Sequence, residues 1–209
     1  MKKIFITTLL FALQFCANCQ SFEGKIVYKC NYKSKLPNVS DTQFTQLMGN
    51  TQEYFIANGN YKSIANGTFF QSQTYLLSEN KLFSKMANSM DYLWNDCAVN
   101  TDVITKFVIN KSVTKILGYN CDELILYCTS GVQKYYYNSK FAIDVKVFVT
   151  HKYGNWYEFV SKSKALPLKY IMETKQFVLE TIAVSVEEKK LVNSFFELPL
   201  DAKTIKSPF

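Results

Sequence analysis

The sequence contains no arginine: all 24 basic residues are lysine, set against 17 acidic residues and one histidine. Without arginine there is no planar fork to grip a phosphate or carboxylate through two parallel bonds. One histidine cannot build a multi-histidine metal site, and any Ser-His-Asp or Cys-His system would have to use His151. His151 lies in Thr150-His151-Lys152-Tyr153-Gly154, a polar stretch that reads as an exposed strand end. Glycine (7) and proline (4) are scarce, which excludes collagen-like and low-complexity chains. The glycines form no GxSxG, GxGxxG or GxxxxGK pattern. Beyond residue 19 there is no CxxC, so a redox pair or a zinc ribbon has no support. No apolar stretch reaches the ~18 residues of a membrane-spanning helix.

What is present begins with a leader. Lys2 and Lys3 precede an apolar run from Ile4 to Phe15, broken by Thr7, Thr8 and Gln14. Ala17-Asn18-Cys19 then places small residues before Gln20, as a cleavage site requires. Residues 1–19 therefore read as a secretory signal, cut after Cys19, and the mature protein as periplasmic or secreted. A lipoprotein anchor is not expected, because neither Cys16 nor Cys19 follows a Leu-small-small stretch. Loss of Lys2 and Lys3 lowers the formal charge of +7 by two. The remaining lysines alternate with apolar residues, as in Lys25, Lys29 and Lys33, which is a solvated sheet face. A nucleic-acid partner would need a clustered basic stripe and is not expected.

Four cysteines remain after the leader: Cys30, Cys97, Cys121 and Cys128. An even count in an exported chain suggests disulfides. Cys121 and Cys128 are seven apart on one apparent strand and point to opposite faces, so they cannot bond each other. That leaves Cys30–Cys121 with Cys97–Cys128, Cys30–Cys128 with Cys97–Cys121, or a single bridge with two buried thiols.

The rest of the chain is strand-patterned. Phe22–Lys33 alternates apolar and polar residues almost without exception. Ser40 to Asn50 is the best short helix, with Ser40 or Asp41 as cap, Gln43 to complete a capping box, and Phe44, Leu47 and Met48 on one face. Glu53–Ala57 and Tyr61–Ala65 flank Asn58-Gly59, a hairpin signal. Further strands are expected over 68–78, 81–86, 91–95, 103–109, 119–128, 132–137, 141–149, 168–173 and 176–187. Residues 156–164 fit helix or strand, and 193–196 a helical turn. Ten to twelve strands without helix-strand alternation predict a mainly β fold: one curved antiparallel sheet or incomplete barrel with short covering helices. No linker divides it, so residues 20–209 read as one domain.

Little here supports catalysis. Asp122-Glu123 and Glu187-Glu188 are strand neighbours that point to opposite faces. Asp96, Asp102 and Asp144 lack calcium-loop spacing. No catalytic residue, metal or cofactor is assigned, and no enzyme is expected. The aromatics, 16% of the chain, fit either an apolar cavity under a curved sheet or a filled aromatic core.

Two stretches add a resemblance. Thr114-Lys115-Ile116-Leu117-Gly118-Tyr119-Asn120-Cys121 resembles the K-K-I-x-G-Y-x-C signature of GLPGLI-type and related uncharacterised exported proteins of Gram-negative bacteria. Ala165-Leu166-Pro167-Leu168-Lys169-Tyr170, Thr181 to Val186 and Asn193-Ser194-Phe195-Phe196-Glu197-Leu198-Pro199 resemble their C-terminal pattern, with Ala165 in place of glycine. The opening Phe22-Glu23-Gly24-Lys25-Ile26-Val27-Tyr28 is similar to their first strand. More loosely, the ending is similar to that of the periplasmic lipoprotein carriers (LolA-like). The resemblance implies an incomplete barrel whose concave face is covered by helices and, in the carriers, holds acyl chains. It carries over no catalytic residue. The expected function is non-enzymatic binding of a lipid or other hydrophobic ligand, lined by Ile26, Tyr28, Phe69, Tyr75, Leu77 and Phe107. The alternative is an envelope structural or interaction protein with a packed core and no small ligand.

Overall fold

The computed structural model describes residues 21–208. The predicted leader over 1–19, with Cys16 and Cys19, lies outside the described residues.

The first half runs β1 (Gly24–Ser34), α1 (Asp41–Met48), β2 (Thr51–Ala57), β3 (Asn60–Ala65), β4 (Phe70–Leu76), β5 (Lys81–Met86) and β6 (Tyr92–Asp96). The second runs β7 (Ile104–Ile116), β8 (Tyr119–Cys128), β9 (Gly131–Ala142), α2 (Trp156–Ser163), β10 (Ala165–Glu173), β11 (Phe177–Glu188) and β12 (Thr204–Lys206). All twelve strands join one sheet in the order β12-β6-β5-β4-β3-β2-β1-β11-β10-β9-β8-β7. Two meanders, β1–β6 and β7–β11, are thus sewn together by the long antiparallel ladder of β1 with β11, from Gly24↔Glu188 to Ser34↔Phe177.

Local chemistry accounts for much of this. Ser40 caps α1 by accepting from the Gln43 backbone N–H, while Gln43 Oε1 accepts from the Ser40 N–H at 2.9 Å. Gly49 ends the helix at φ 94°, and its N–H donates to the Thr45 carbonyl. Phe44 is the buried residue of this helix, whereas Leu47 on the predicted apolar face is exposed. Asn58 (φ 52°) and Gly59 (φ 78°) make the β2–β3 turn, where a left-handed pair matches the twist of the strands.

The sheet bends enough to bring distant strands together. Tyr61 on β3 and Tyr135 on β9 line one cavity, although four strands separate them in the sheet order. A flat sheet would hold strands five places apart at roughly 24 Å. Among the described residues no ladder joins β12 to β7, so the sheet stays open and is not a closed barrel.

Three sequence expectations are corrected. Residues 141–149 are not a strand: β9 ends at Ala142, and Val145–Phe148 form a 3-10 turn. Asp144 starts it by accepting from the Lys146 backbone N–H at 2.9 Å, and alternating valines cannot reveal such a cap. β7 runs seven residues past its predicted end, through a bulge between Asn110 and Thr114 with Ser112 at φ 51°. The sheet is not wholly antiparallel, because the unforeseen β12 pairs parallel to β6.

The main core fills the concave side. Ile26, Tyr75, Leu124, Leu126, Leu166 and Leu168 meet Phe148, Phe159 and Val160 from the segment between β9 and β10. That segment, residues 143–164, is the cover over the concave face. On the other side Phe55 and Ala57 pack against Phe196, so the turn predicted over 193–196, observed over Asn193–Phe195, serves to close a small second cluster.

Candidate functional site

Between sheet and cover lies a cavity of about 200 Å³. Its sheet wall comes from alternate residues of six strands. β1 gives Tyr28; β2 gives Gln52 and Tyr54; β3 gives Tyr61 and Ser63; β4 gives Gln73; β9 gives Tyr135; β10 gives Pro167, Tyr170 and Met172. The cover supplies His151, Tyr153, Gly154 and Trp156. Tyr153 and Gly154 are exposed and stand at its edge. No carboxylate or lysine lines it.

The aromatic rings form one packed group around Tyr61. Its ring lies 5.5 Å from Tyr54, 5.1 Å from Tyr75, 5.8 Å from His151 and 5.6 Å from Trp156, centroid to centroid. Each such pair adds about 0.5–1.5 kcal/mol beyond the area it buries. Tyr135 stacks on Phe159 at 4.2 Å, which ties β9 to α2.

Several polar groups are satisfied within the wall. Tyr28 donates to the Pro167 carbonyl at 2.6 Å. Tyr170 donates to Gln52 Oε1 at 3.0 Å, and Gln52 Nε2 donates to Ser63 Oγ. Tyr61 Oη and His151 Nε2 are paired at 2.7 Å. Burial raises the hydroxyls of Tyr28, Tyr54, Tyr61 and Tyr170 well above their ordinary range, so they stay protonated.

His151 is not the exposed histidine that the sequence suggests. It is 1% exposed, and burial lowers its pKa from 6.5 to about 3, slightly offset by its own carbonyl. The polar neighbours Thr150 and Lys152 misled: the chain turns inward at His151, whose N–H donates to the Phe148 carbonyl at 2.9 Å. A histidine held neutral in this way is a ring with two polar edges and not a working base near pH 7.

Of the six residues expected to line a ligand site, Tyr28 lines the cavity. Tyr75 is wholly buried behind the wall, its ring 4.3 Å from His151. Ile26 is wholly buried in the main core. Leu77, just past β4, is half-buried against Gly59. Phe69 precedes β4 and is exposed. Phe107 is 50% exposed on β7, with Lys162 Nζ over its ring at 4.9 Å. Alternation gave the right face for Tyr28, but it could not say where along the sheet the cover comes down.

The expected disulfides are absent: Cys30, Cys97, Cys121 and Cys128 are free thiols. They stand on or beside different parts of the sheet, and three engage local partners. Cys97 Sγ lies 3.9 Å from the Asn95 carbonyl, Cys121 Sγ lies 3.4 Å from the Tyr119 carbonyl, and Cys128 Sγ accepts from Asn155 at 3.4 Å. Burial pushes Cys30, Cys97 and Cys128 up to about 12, so the reactive thiolate is scarce.

Sequence reasoning also missed Asp102, of which it noted only the lack of calcium-loop spacing. Its carboxylate accepts from Thr129 Oγ1, from Ser130 N and Oγ, from Gln133 Nε2 and from Asn155 Nδ2 at 2.8–3.3 Å. Asp102 thereby fixes the start of α2, and Trp156 with it, to the β8–β9 turn. No motif spacing signals such a hub, because its partners come from two distant parts of the chain, residues 129–133 and Asn155.

No family model matches the chain, and no curated protein matches it. Among solved structures it is similar to PNGF-II, with a TM-score of 0.47 and 13% identity, covering 90% of this chain and 31% of that one. The chain thus spans about a third of the length of PNGF-II. It is also similar to LprF from Mycobacterium bovis, with a TM-score of 0.26 and 8% identity, covering 78% of this chain and 85% of that one. At these scores neither likeness informs the site.

Proposed function

We propose that this protein is an exported, non-enzymatic binding module that holds a hydrophobic ligand on the concave face of its sheet. The observation that carries the reading is the aromatic cavity between sheet and cover, walled by Tyr28, Tyr54, Tyr61, Tyr135, Trp156 and Tyr170. Burial of apolar surface there contributes about 25 cal/mol per Å². The volume sets a limit. About 200 Å³ lies below the roughly 300–1,000 Å³ of sites for drug-sized ligands. The cavity holds a small molecule, or one part of a lipid whose remainder lies outside.

The absence of catalysis is part of the proposal. It is supported by a neutral His151, by tyrosine hydroxyls that stay protonated, and by walls without carboxylates. Export, and kinship with the GLPGLI-type proteins, rest on the leader and the quoted motifs. The test is displacement of a neutral fluorescent dye, N-phenyl-1-naphthylamine, with native mass spectrometry of protein taken from the cell envelope. A co-purifying small mass and saturable dye binding are expected. A ligand-free protein that ignores the dye refutes the reading and leaves the envelope interaction protein. The observation that favours that alternative is β7, an edge strand with Val103, Phe107, Val113 and Leu117 exposed on or beside it.

A further inference from the structure

Buried polar groups almost always have partners, so the exceptions call for a physical reason. Among the described residues three buried side-chain atoms have no hydrogen-bond partner in the protein: Tyr54 Oη, His151 Nδ1 and Trp156 Nε1. All three residues line the same cavity. Their rings lie 5.5, 5.8 and 5.6 Å from that of Tyr61, which Tyr75 also approaches at 5.1 Å. Chance would scatter such atoms through the core, but here their residues meet around one cavity, Tyr54 from the sheet and His151 and Trp156 from the cover.

Their chemistry is of one kind. An indole N–H only donates. A protonated tyrosine hydroxyl can donate. Tyr61 Oη and His151 Nε2 are paired at 2.7 Å; we take the tautomer in which the Tyr61 hydroxyl donates, so the single proton of the neutral imidazole sits on Nδ1, which then donates as well. Three donors therefore await acceptors. No lysine lines the cavity to neutralise an anion, and an unpaired charge is costly to bury. The acceptor must then be uncharged oxygen. The volume equals about seven waters, and a cavity of roughly 150 Å³ is known to take a benzene ring. We infer that the site takes a small uncharged ring bearing hydroxyl oxygens, which accept from Tyr54, His151 and Trp156 while the ring meets the aromatic walls.

Each polar atom is closed to water in this arrangement, so the ligand reaches it by parting the rings slightly. Two of the three donors, His151 and Trp156, belong to the cover, which forms no ladder of the sheet. The inference rests on the proposed binding reading and narrows it from hydrophobic to ring-shaped and hydroxylated.

The test compares phenol with toluene, which share a shape and differ in the hydroxyl, and adds methyl glucopyranoside. Binding is measured by calorimetry and by indole emission. Phenol or the glycoside is expected to bind roughly five- to tenfold tighter than toluene, the worth of about one hydrogen bond. Whichever of the two is tighter tells an aryl from a sugar source. Indole emission should shift to the red, and Trp156→Phe should abolish the shift while Trp94 still reports. Tyr54→Phe keeps the ring, removes only the orphaned hydroxyl and should erase most of the preference without lowering the melting temperature. Binding of both phenol and the glycoside no tighter than toluene overturns the inference and leaves the hydrophobic reading standing. Failure of all three, with failure of the neutral dye, overturns both.

Discussion

Acidification should destabilise this protein through one residue. In the folded state burial holds His151 near a pKa of 3, whereas the unfolded chain has the ordinary 6.5. Below pH 6.5 the unfolded chain takes up a proton that the folded protein refuses. Stability is therefore complete above pH 6.5 and is lost as pH falls toward 3, at about 1.4 kcal/mol per unit. At pH 5 the deficit is about 2 kcal/mol, or roughly 4–8 °C in melting temperature for a chain of this size. The chain has no second histidine to confuse the signal. Asp122 and Glu173 are carboxylates held below their ordinary values by Lys111 and Lys35, so they stay ionised over the upper part of this range. Urea midpoints at pH 7.5, 6.0 and 5.0 should fall for the native protein and stay level for His151→Gln. The single histidine C2–H resonance should not move between pH 8 and pH 4. A resonance that titrates near 6.5, or an equal acid loss in the variant, refutes the argument.

Other perturbations have defined outcomes. Tyr28→Phe removes the 2.6 Å bond to the buried Pro167 carbonyl and should cost about 1–3 kcal/mol in denaturant midpoints, because the carbonyl is left unpaired. Ser40→Ala breaks the capping box of α1 and should cost about 1 kcal/mol, with no loss of dye binding. Gly24→Ala would place a Cβ 2.0 Å from the Glu187 carbonyl oxygen at φ 154°, so it should destabilise far more than Gly118→Ala, whose Cβ meets open space at φ 87°. Equal melting temperatures for the two glycine variants would contradict the β1–β11 register. Phe159→Ala, which empties a wholly buried ring between α2 and β9, should cost about 3–5 kcal/mol.

Much of this molecule is written in short-range signals. The alternation of Phe22–Lys33 specifies a half-buried β1, Ser40 with Gln43 and Gly49 bounds α1, and Asn58-Gly59 turns β2 into β3. These are read locally because backbone geometry is decided by residues two to four apart. The open, curved, mainly β architecture follows from that count of strands and the lack of intervening helices. The missing arginine and the lone histidine likewise limit the chemistry without any structure.

The tertiary structure alone decided the rest. It turned residues 145–148 out of the sheet, buried His151 and brought β12 beside β6. It gathered Tyr54, Tyr61, His151 and Trp156 from a span of about a hundred residues into one cavity, and it joined Asp102 to Asn155. Tyr54 and Tyr61 are far in sequence from His151 and Trp156, as Asp102 is from Asn155. Which inner-face side chain meets the cover depends on how far the sheet bends, and that bend is set by the summed twist and packing of all twelve strands.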